Sequence, residues 1–513
     1  MADTRKFDRS WGGGKWLFDA GAVDRSLGQL HVQAMHILLD GIRRSQIPQG
    51  ARMPSSRAIA DVLGISRNTA KLAIEGLVEQ GVLSARDRSG TYVAAASPSP
   101  AVAAGQIPAT GSVDWNRRFT LALNPAIEVP VASALKASFL YGQFDASVFP
   151  AGRWRECERA ALSVAEIQSW GKDVVDEDDP LLVEQLREQV LPRHGILARA
   201  DNILITLGGQ QGRYLVSQLF GATGTTTGIE HPGMPDIAKI LALSPTRRRP
   251  LQLDRDGVVL GEQLRGCDTV FVTCGHQCPT TAVMPLERRR ALLEQAVQDD
   301  FIVVEDTFET ELFTQPEHLP ALKAMPGSER VIHVASLSKL IAPGLRLGYV
   351  VAESPVIAQM RALRRLIHRH PPGNNQRALA IFIERGYHRA FLRRAKAVMG
   401  EREHVMAEAL DRYFPGSRWR HCPGASTFWM KLPEGAGSED FCRHAALQGV
   451  LVETGSRYFY AGAADGEYLR LSVSSIPAAR IGDGVRRLAT AFREQGPLPQ
   501  PAPAPAGGAN WNC

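Results

Sequence analysis

The chain has 513 residues, of which 44% are hydrophobic and 22% charged, proportions that exclude a wholly disordered or fibrous protein. Its net charge of +6 is small for this length, so the charge permits nucleic-acid binding without demonstrating it. No apolar run reaches the roughly 18 residues that cross a bilayer, the N-terminus lacks a secretory core, and the cysteines show no CxxC spacing, which predicts a soluble, cytoplasmic protein without disulfides.

Two stretches rich in Ala, Pro, Ser and Gly divide the chain, one beginning at Ala94 (AAASPSPAVAAGQIPATG) and one at Gly496. Burial in such segments is too small to offset the entropy of ordering them. The sequence therefore predicts five parts: an N-terminal extension (1–28), a small domain (29–94), a flexible linker (95–125), a large domain (126–494) and a disordered tail (495–513).

The small domain shows the pattern of three helices followed by a hairpin. Apolar residues recur on one face from Gln29 to Ser45, and Pro54, Ser55 and Ser56 supply the start signal of a second helix that Gly64 ends. Ser66 is a natural N-cap for a third helix, and two short strands follow over Val82–Val93. This order predicts a winged helix-turn-helix, with a helical interaction module that has a basic face as the alternative.

Positive charge in the small domain is concentrated on the third helix and the hairpin. Residues 29–94 hold 8 Lys and Arg against 5 Asp and Glu, and Arg67, Lys71, Arg86 and Arg88 are half of the positive ones. The run from Gly50 to Val93 resembles the DNA-binding domain of GntR-type bacterial repressors, whose third helix enters the major groove. The resemblance assigns DNA contacts to Arg57, Ser66, Arg67, Asn68, Thr69, Lys71, Ser89 and Gly90.

Strand-like apolar runs alternate with amphipathic segments through the large domain. The runs are Ile203–Thr206, Thr269–Thr273, Phe301–Glu305, Val331–Ala335 and Leu347–Val351. This alternation predicts an α/β fold with a mostly parallel sheet covered by helices, which hydrolases and nucleotide-binding proteins would share. The basic run Arg247–Arg249 is interpreted as a solvated turn.

Three motifs of the large domain suit pyridoxal phosphate (PLP). Lys339 follows a buried strand and could form an imine, and an earlier strand ends in Asp306, whose carboxylate could keep a ring nitrogen protonated. A glycine turn over Gly208–Gln210 opens a helix whose backbone amides can bind phosphate. Further groups suited to that phosphate surround the lysine: Ser336, Ser338 and Arg346.

Nearly the whole chain, from about residue 29 to about 494, resembles MocR-type regulators, in which a GntR-type winged helix is linked to a domain similar to fold-type I aminotransferases. LGGQQG, EHPGMPD, VTCGHQCPT and SLSKLIAPGLRLGY are among the segments that carry the resemblance. It implies that Lys339 is the Schiff-base lysine, that Asp306 pairs with the ring nitrogen and that Arg470 binds a ligand carboxylate. It assigns the phosphate to Ser336, Arg346, Gly209 and Gln210, and places Gln277 near the ring's substituents.

Four positions depart from the pattern of the family. Phe308 stands where a Tyr usually bonds the cofactor's phenolic oxygen, and Met234 where an aromatic residue usually stacks on the ring. Glu177 and Leu182 replace a Tyr and a Gly of the loop that a partner subunit contributes. We therefore expect negligible transamination.

The favoured hypothesis is a transcriptional regulator that senses PLP or an amino compound through aldimine chemistry. An active aminotransferase with an accessory DNA-binding domain is the alternative, and a regulator that has lost PLP and only dimerises is a third hypothesis. The implied partners are operator DNA, the effector and a second copy of the chain. Cys274, His276 and Cys278 share one loop, but no second ligand pair follows, so no metal site is predicted.

Overall fold

A computed structural model describes residues 23–25, 28–86, 89–94, 117–119, 135–307, 319–433, 437–460 and 467–494. The chain divides into two compact units, Met1–Ala126 and Ile127–Cys513. None of the helices within the described ranges combines the length and the apolar character that a membrane span requires. Arg88, Phe308, the predicted tail and most of the predicted N-terminal extension and linker lie outside the described residues.

Within its described residues, the first unit contains three helices and a hairpin, which confirms the predicted winged helix-turn-helix. Its elements are α1 (Leu30–Arg43), α2 (Ser56–Leu63), α3 (Arg67–Glu79), β1 (Leu83–Arg86) and β2 (Gly90–Val93), the two strands pairing antiparallel. Side chains cap two of the helices, since Ser55 accepts a bond from the Ala58 amide and Ser66 one from the Thr69 amide. Gly64 ends α2 in the left-handed conformation.

An eight-stranded sheet forms the centre of the second unit. Its strands are β4 (Ile203–Thr206), β5 (Thr226–His231), β6 (Arg247–Asp254), β7 (Gly257–Val258), β8 (Thr269–Val272), β9 (Ile302–Thr307), β10 (Val331–Ser336) and β11 (Gly348–Val351). They lie in the order β4–β11–β10–β9–β8–β5–β6–β7. The five strands from β10 through β6 in this order run parallel, and β4, β7 and β11 pair antiparallel with their neighbours.

All five predicted strands are present, with small shifts at their ends, whereas β5, β6 and β7 were not predicted. The interpretation of Arg247–Arg249 as a turn is wrong, because these residues begin β6 and pair with β5. Pairing in the sheet satisfies their backbone while the side chains of Arg247 and Arg248 stay exposed. The arginines therefore gave this segment the sequence pattern of a turn, although it is a strand near the edge of the sheet.

Helices cover both faces of this sheet. The α-helices described between Ala151 and Tyr413 are α4 (Ala151–Ala161), α5 (Val164–Trp170), α6 (Pro180–Gln185), α7 (Gly208–Phe220), α8 (Pro235–Leu241), α9 (Leu286–Gln298), α10 (Ser338–Ile341), α11 (Ser354–His368), α12 (Gly373–Glu384) and α13 (Tyr387–Tyr413). Side chains of β4 alternate between two cores, since Ile203 and Ile205 pack on one face and Leu204 on the other. Burial on both faces explains why the strand is apolar throughout.

A smaller antiparallel sheet follows near the C-terminal end. It contains β12 (Arg418–His421), β13 (Thr427–Lys431), β15 (Glu453–Thr454) and β16 (Tyr468–Ser472), in the order β12–β13–β16–β15. Further elements of this unit are β3 (Ala137–Ser138), which pairs with β14 (Val450–Leu451), and the helices α14 (Ser438–Leu447) and α15 (Ala478–Glu494). Buried Arg470 lies on β16 of this sheet.

Candidate functional site

Helix α3 exposes the face that was predicted to contact DNA. Ala70, Ala73 and Leu77 are buried against the rest of the unit, whereas Arg67 and Asn68 are exposed at its first turn. Arg57 is likewise exposed on α2, and the exposed Lys71 lies 3.3 Å from Glu75 one turn further along α3. An exposed pair of this kind is worth little, so the lysine can exchange its partner for a phosphate.

Ser66 and Thr69 fix the first turn of α3. The Ser66 hydroxyl accepts from the Thr69 amide at 3.1 Å, and the two hydroxyls lie 2.8 Å apart. Both residues were predicted to contact DNA. In the structure their hydroxyls bond each other, and this capping sets the position at which Arg67 and Asn68 enter the helix.

The predicted wing is built around Gly90. Its φ of +111° belongs to the region that glycine favours, and the neighbouring Ser89 hydroxyl lies 2.7 Å from the Tyr92 hydroxyl. Arg86 lies over the Tyr92 ring at 4.6 Å. Arg52, which was not predicted, forms an isolated antiparallel β-bridge with Tyr92, and its Nε would lie 3.0 Å from a Cβ added at Gly90. Only the fold brings this arginine to the wing, so no sequence signal could have found it.

In the second unit, Lys339 lies in α10 directly after β10, as the sequence predicted. Its Nζ is 4.1 Å from the centre of the Tyr141 ring, and the guanidinium carbon of Arg470 is 3.7 Å from the same centre. Both cations gain from the negative face of the ring. The structure thus brings together the predicted lysine, the predicted carboxylate-binding arginine and a tyrosine that was not predicted.

Asp306 lies near the end of β9, paired in register with Val334 of β10. Its side chain is only 1% exposed, and Arg213 donates to its Oδ2 at 2.8 Å. The other terminal nitrogen of Arg213 donates to Gln210 Oε1, also at 2.8 Å. Arg213 was not predicted, although it lies one helical turn after Gln210, a spacing that places both side chains on one face of α7.

The glycine turn before α7 forms a cradle beside an arginine. Gly208 has a φ of +75°, and a Cβ added there would lie 3.1 Å from an Arg346 nitrogen. A Cβ added at Gly209 would lie 3.4 Å from Arg213. Arg346 donates to the Leu207 carbonyl at 3.0 Å, which holds its exposed guanidinium at the start of the helix. A guanidinium beside the amides of a helix start suits a phosphate.

The two predicted serines differ in what they contact. Ser336 ends β10 and is half-buried. Ser338 is buried, and its hydroxyl accepts from the Leu347 amide and donates to the Leu347 carbonyl, each at 3.0 Å. These two bonds use most of the capacity of one hydroxyl, so Ser338 joins α10 to β11 and has little capacity left for a phosphate.

Gln277 is buried in the loop after β8, and its side chain holds that loop together. It donates to Glu230 at 3.2 Å and to the Cys278 carbonyl at 2.7 Å, and it accepts two bonds from Thr280.

In the same loop, burial raises the pKa of the Cys278 thiol to about 11 and lowers the pKa of His276 well below its usual range. Within the described parts of the chain, no three His, Cys, Asp or Glu residues are grouped so that they could hold a metal.

Arg470 has hydrogen-bond donors for which no described residue supplies an acceptor. It is 2% exposed, and its Nη1 donates to the Tyr458 hydroxyl at 2.9 Å, which in turn donates to Glu453 at 3.0 Å. Its Nε and Nη2 are buried, and no described residue accepts a hydrogen bond from them. Buried donors without acceptors are costly, so this guanidinium is suited to an anionic ligand.

The positions that depart from the family pattern fall in different places. Met234 is the N-cap of α8 and packs against the cluster of Cys278, Trp429 and Tyr458. Glu177 is exposed, and Leu182 is fully buried in the core. Met234 therefore lies beside the aromatic residues around Arg470.

Glu230 is a buried carboxyl that the sequence did not indicate. Burial raises its pKa to about 7, although Thr273 donates to both of its oxygens, and the nearby charge of Asp306 raises the pKa further. The folded state therefore binds a proton that the unfolded state has lost between about pH 4.5 and pH 7. It follows that this group makes the free energy of unfolding fall as the pH rises through that window.

We expect Glu230→Gln to remove this pH dependence. The variant should unfold at a temperature that exceeds the native one increasingly between pH 5.5 and pH 8, with a difference in unfolding free energy of up to about 3 kcal/mol. Thermal unfolding of the second unit followed across this range measures the effect. Glu287→Gln, at an exposed position of α9, should leave the native dependence unchanged. Parallel pH profiles for the native protein and Glu230→Gln would contradict this assignment.

Taken together, these residues fit PLP. The glycine cradle with Arg346 suits a phosphate, Asp306 offers a buried carboxylate and Lys339 an amine, and two donors of Arg470 that no described residue accepts suit an anion. Each polar group of PLP and of an amino compound, namely the phosphate, the ring nitrogen, the aldehyde and an anionic group, thus has a residue of matching chemistry here.

Comparison with known proteins gives two family matches. Residues 178–488 match "Aminotransferase class I and II", and residues 30–93 match "Bacterial regulatory proteins, gntR family". The HTH-type transcriptional regulator TauR of Rhodobacter capsulatus is 38% identical over 470 residues, which are 91% of this chain and 97% of that protein. The probable rhizopine catabolism regulatory protein MocR of Rhizobium meliloti is 25% identical and covers 75% of this chain and 78% of its own length.

Among solved structures, the fold of the second unit is similar to that of LysN, the α-aminoadipate aminotransferase of Thermus thermophilus. That crystal structure contains N-(5'-phosphopyridoxyl)-L-leucine. The two chains superpose with a TM-score of 0.64 at 26% identity, covering 71% of this chain and 93% of the aminotransferase. The prediction of a fold-type I aminotransferase domain is confirmed.

Proposed function

Because the chain belongs to the MocR-type regulators, which join a gntR-family DNA-binding domain to an aminotransferase class I and II domain, we propose that it is a PLP-dependent transcriptional regulator. Its effector is an amino compound that also carries an anionic group. The observation that carries this proposal is buried Arg470, which has two donors that no described residue accepts and lies beside the ring that also contacts Lys339.

Side chains from several elements would hold the cofactor. Gly209 and Gln210 at the start of α7, with Arg346 and Ser336, bind the phosphate, and Asp306 orients the ring through its nitrogen. When bound, PLP supplies an aldehyde to which Lys339 or a free amine can bond covalently. Gln277 keeps the neighbouring loop in one conformation through its bonds to Glu230 and Thr280.

Arg470 and Lys339 limit the distance between the amine and the anionic group of the effector. Each lies about 4 Å from the centre of the Tyr141 ring, so the two groups can be no further apart than these two distances together. A short amino compound spans that gap with its amine at one end and its anion at the other. Trp429 pairs with Arg470 across the two strands and packs with Tyr458, so apolar surface lies beside the arginine.

The first unit binds operator DNA in this proposal. Arg57, Arg67, Asn68 and Lys71 are exposed on α2 and α3 for contacts to bases and phosphates, and the wing at Ser89 and Gly90 enters the adjacent groove. The linker over residues 95–125 joins this domain, residues 29–94, to the effector domain, residues 126–494. A homodimer would present two winged helices to two half-sites, and the protein works in the cytoplasm, where the operator lies.

Arg470→Ala provides the test of this function. The native protein, loaded with PLP, should change its affinity for operator DNA when the correct amino compound is added. In the variant this response should require at least about ten times more of the compound, because one partner of a buried charge pair is lost. DNA binding without effector should be unchanged, and Arg480→Ala, at an exposed position, should respond like the native protein.

The same samples separate the regulator from an aminotransferase. We expect no more than a single conversion per site when an amino acid and a keto-acid acceptor are supplied together. Rapid multiple turnover, measured as keto-acid product, would contradict the regulator and support the enzyme. A protein that takes up no PLP yet binds the operator would support the hypothesis that the second unit only dimerises.

A further inference from the structure

Arg213 connects the two ends of the proposed cofactor site. Its terminal nitrogens donate to Asp306, the partner proposed for the ring nitrogen, and to Gln210, which lies at the phosphate turn. Both bonds measure 2.8 Å. Residues 93 positions apart in the chain are thereby tied together inside the site.

Solvent screens this ion pair very little. The Asp306 side chain is 1% exposed and that of Arg213 is 11% exposed. The Nε of Arg213 is buried and donates to no described residue, which adds a cost that an apolar side chain would avoid. Because replacing a buried pair with apolar residues is often neutral or stabilising, stability alone gives a weak reason to keep the arginine here.

The charge of Arg213 acts on the same carboxylate that would hold the ring nitrogen. A carboxylate that already accepts a bond from a guanidinium has less negative charge to offer to a second donor. The guanidinium also repels positive charge on a protonated ring directly. Both effects disfavour the proton on the ring nitrogen, and this proton is what allows PLP to withdraw electrons from a bound amine.

We propose that Arg213 is a positioning residue that shares the Asp306 carboxylate with the ring nitrogen of PLP and thereby weakens electron withdrawal at this site. The inference rests on the proposed function, since it requires PLP at Lys339. It gives a physical reason for a site that retains its amino compound: the amine is bound while the later steps of transamination are slowed. Arg213 also holds Gln210 at the phosphate turn.

PLP labelled with nitrogen-15 in its ring provides a direct measurement, because the chemical shift of that nitrogen reports its protonation. The shift is followed against pH in the native protein and in Arg213→Leu. We expect the pH at which the ring nitrogen loses its proton to be higher in the variant by about one unit or more. Arg213→Gln, which keeps a donor without the charge, should behave like Arg213→Leu, and Arg213→Lys should stay close to the native protein.

Gln218→Leu serves as the matched control, since it lies on α7 but bonds Ser244 instead of Asp306. If the ring nitrogen titrates at the same pH in the native protein and in both uncharged variants, Arg213 only joins α7 to β9 structurally and the inference is wrong. If Arg213→Leu does not fold, Arg213→Gln against Arg213→Lys decides between charge and structure. Failure of the native protein to take up PLP would overturn the proposed function together with this inference, whereas uptake with unchanged titrations would overturn the inference alone.

Discussion

Replacing Lys339 with alanine should abolish the covalent attachment of PLP. The native protein mixed with PLP should develop an absorption band that disappears on borohydride reduction, and the reduced protein should yield a cofactor-labelled peptide that contains Lys339. The physical reason is placement: the lysine follows β10 directly, and β10 pairs with the strand that carries Asp306. Absorption spectra and peptide mass spectrometry of both proteins measure the result.

Lys172→Ala is the matched control for this experiment, because Lys172 is exposed after α5 and outside the site. It should retain the band and the labelled peptide. A labelled lysine other than Lys339 in the native protein, or a reducible band of native strength in Lys339→Ala, would contradict the assignment. The Lys339→Ala variant should still bind operator DNA, since the winged helix is a separate compact unit.

Arg67→Ala should weaken specific binding to DNA much more than Arg44→Ala does. Arg67 is exposed at the first turn of α3, where an arginine can donate two bonds to one guanine. Loss of such a contact costs about 1 to 3 kcal/mol, which is about a fivefold to 150-fold loss of affinity. Gel-shift titrations on a duplex selected from random sequences with the native protein measure this loss, and the PLP spectrum should not change.

Arg44→Ala removes the same charge from the same unit and separates base contact from electrostatics. Arg44 is exposed after the last residue of α1, away from α3 in the chain. We expect a small loss of affinity that is equal for selected and random duplexes, because only the general attraction to phosphates changes. Equal losses for Arg44→Ala and Arg67→Ala would show that α3 does not read the sequence.

The sequence alone determined the architecture of the small unit, because the signals that fix it are local. Ser55 and Ser66 cap α2 and α3, and Gly64 ends α2 with a positive φ. Each of these residues acts within four positions of its own place in the chain. Such interactions can be read without knowing what packs on the helices.

The large sheet was only partly predictable. Strands buried on both faces, such as β4 and β8, read as apolar runs, but β5 (TTGIEH) and β6 (RRRPLQLD) do not. The backbone of β6 finds its partners in β5, and its arginines remain exposed. Pairing between strands decided this element, and pairing is a property of the tertiary structure.

At the candidate site, the sequence identified the functional groups that directly follow a predicted strand or lie in a glycine turn, because these positions can be recognised from neighbouring residues. Lys339, Asp306 and the glycine cradle are of this kind. The fold alone decided which other side chains face them: Tyr141 contacts both Lys339 and Arg470, and Arg213 pairs with Asp306. These contacts join residues far apart in the chain, and their energies depend on burial and on distances of 3 to 4 Å, which the order of residues does not contain.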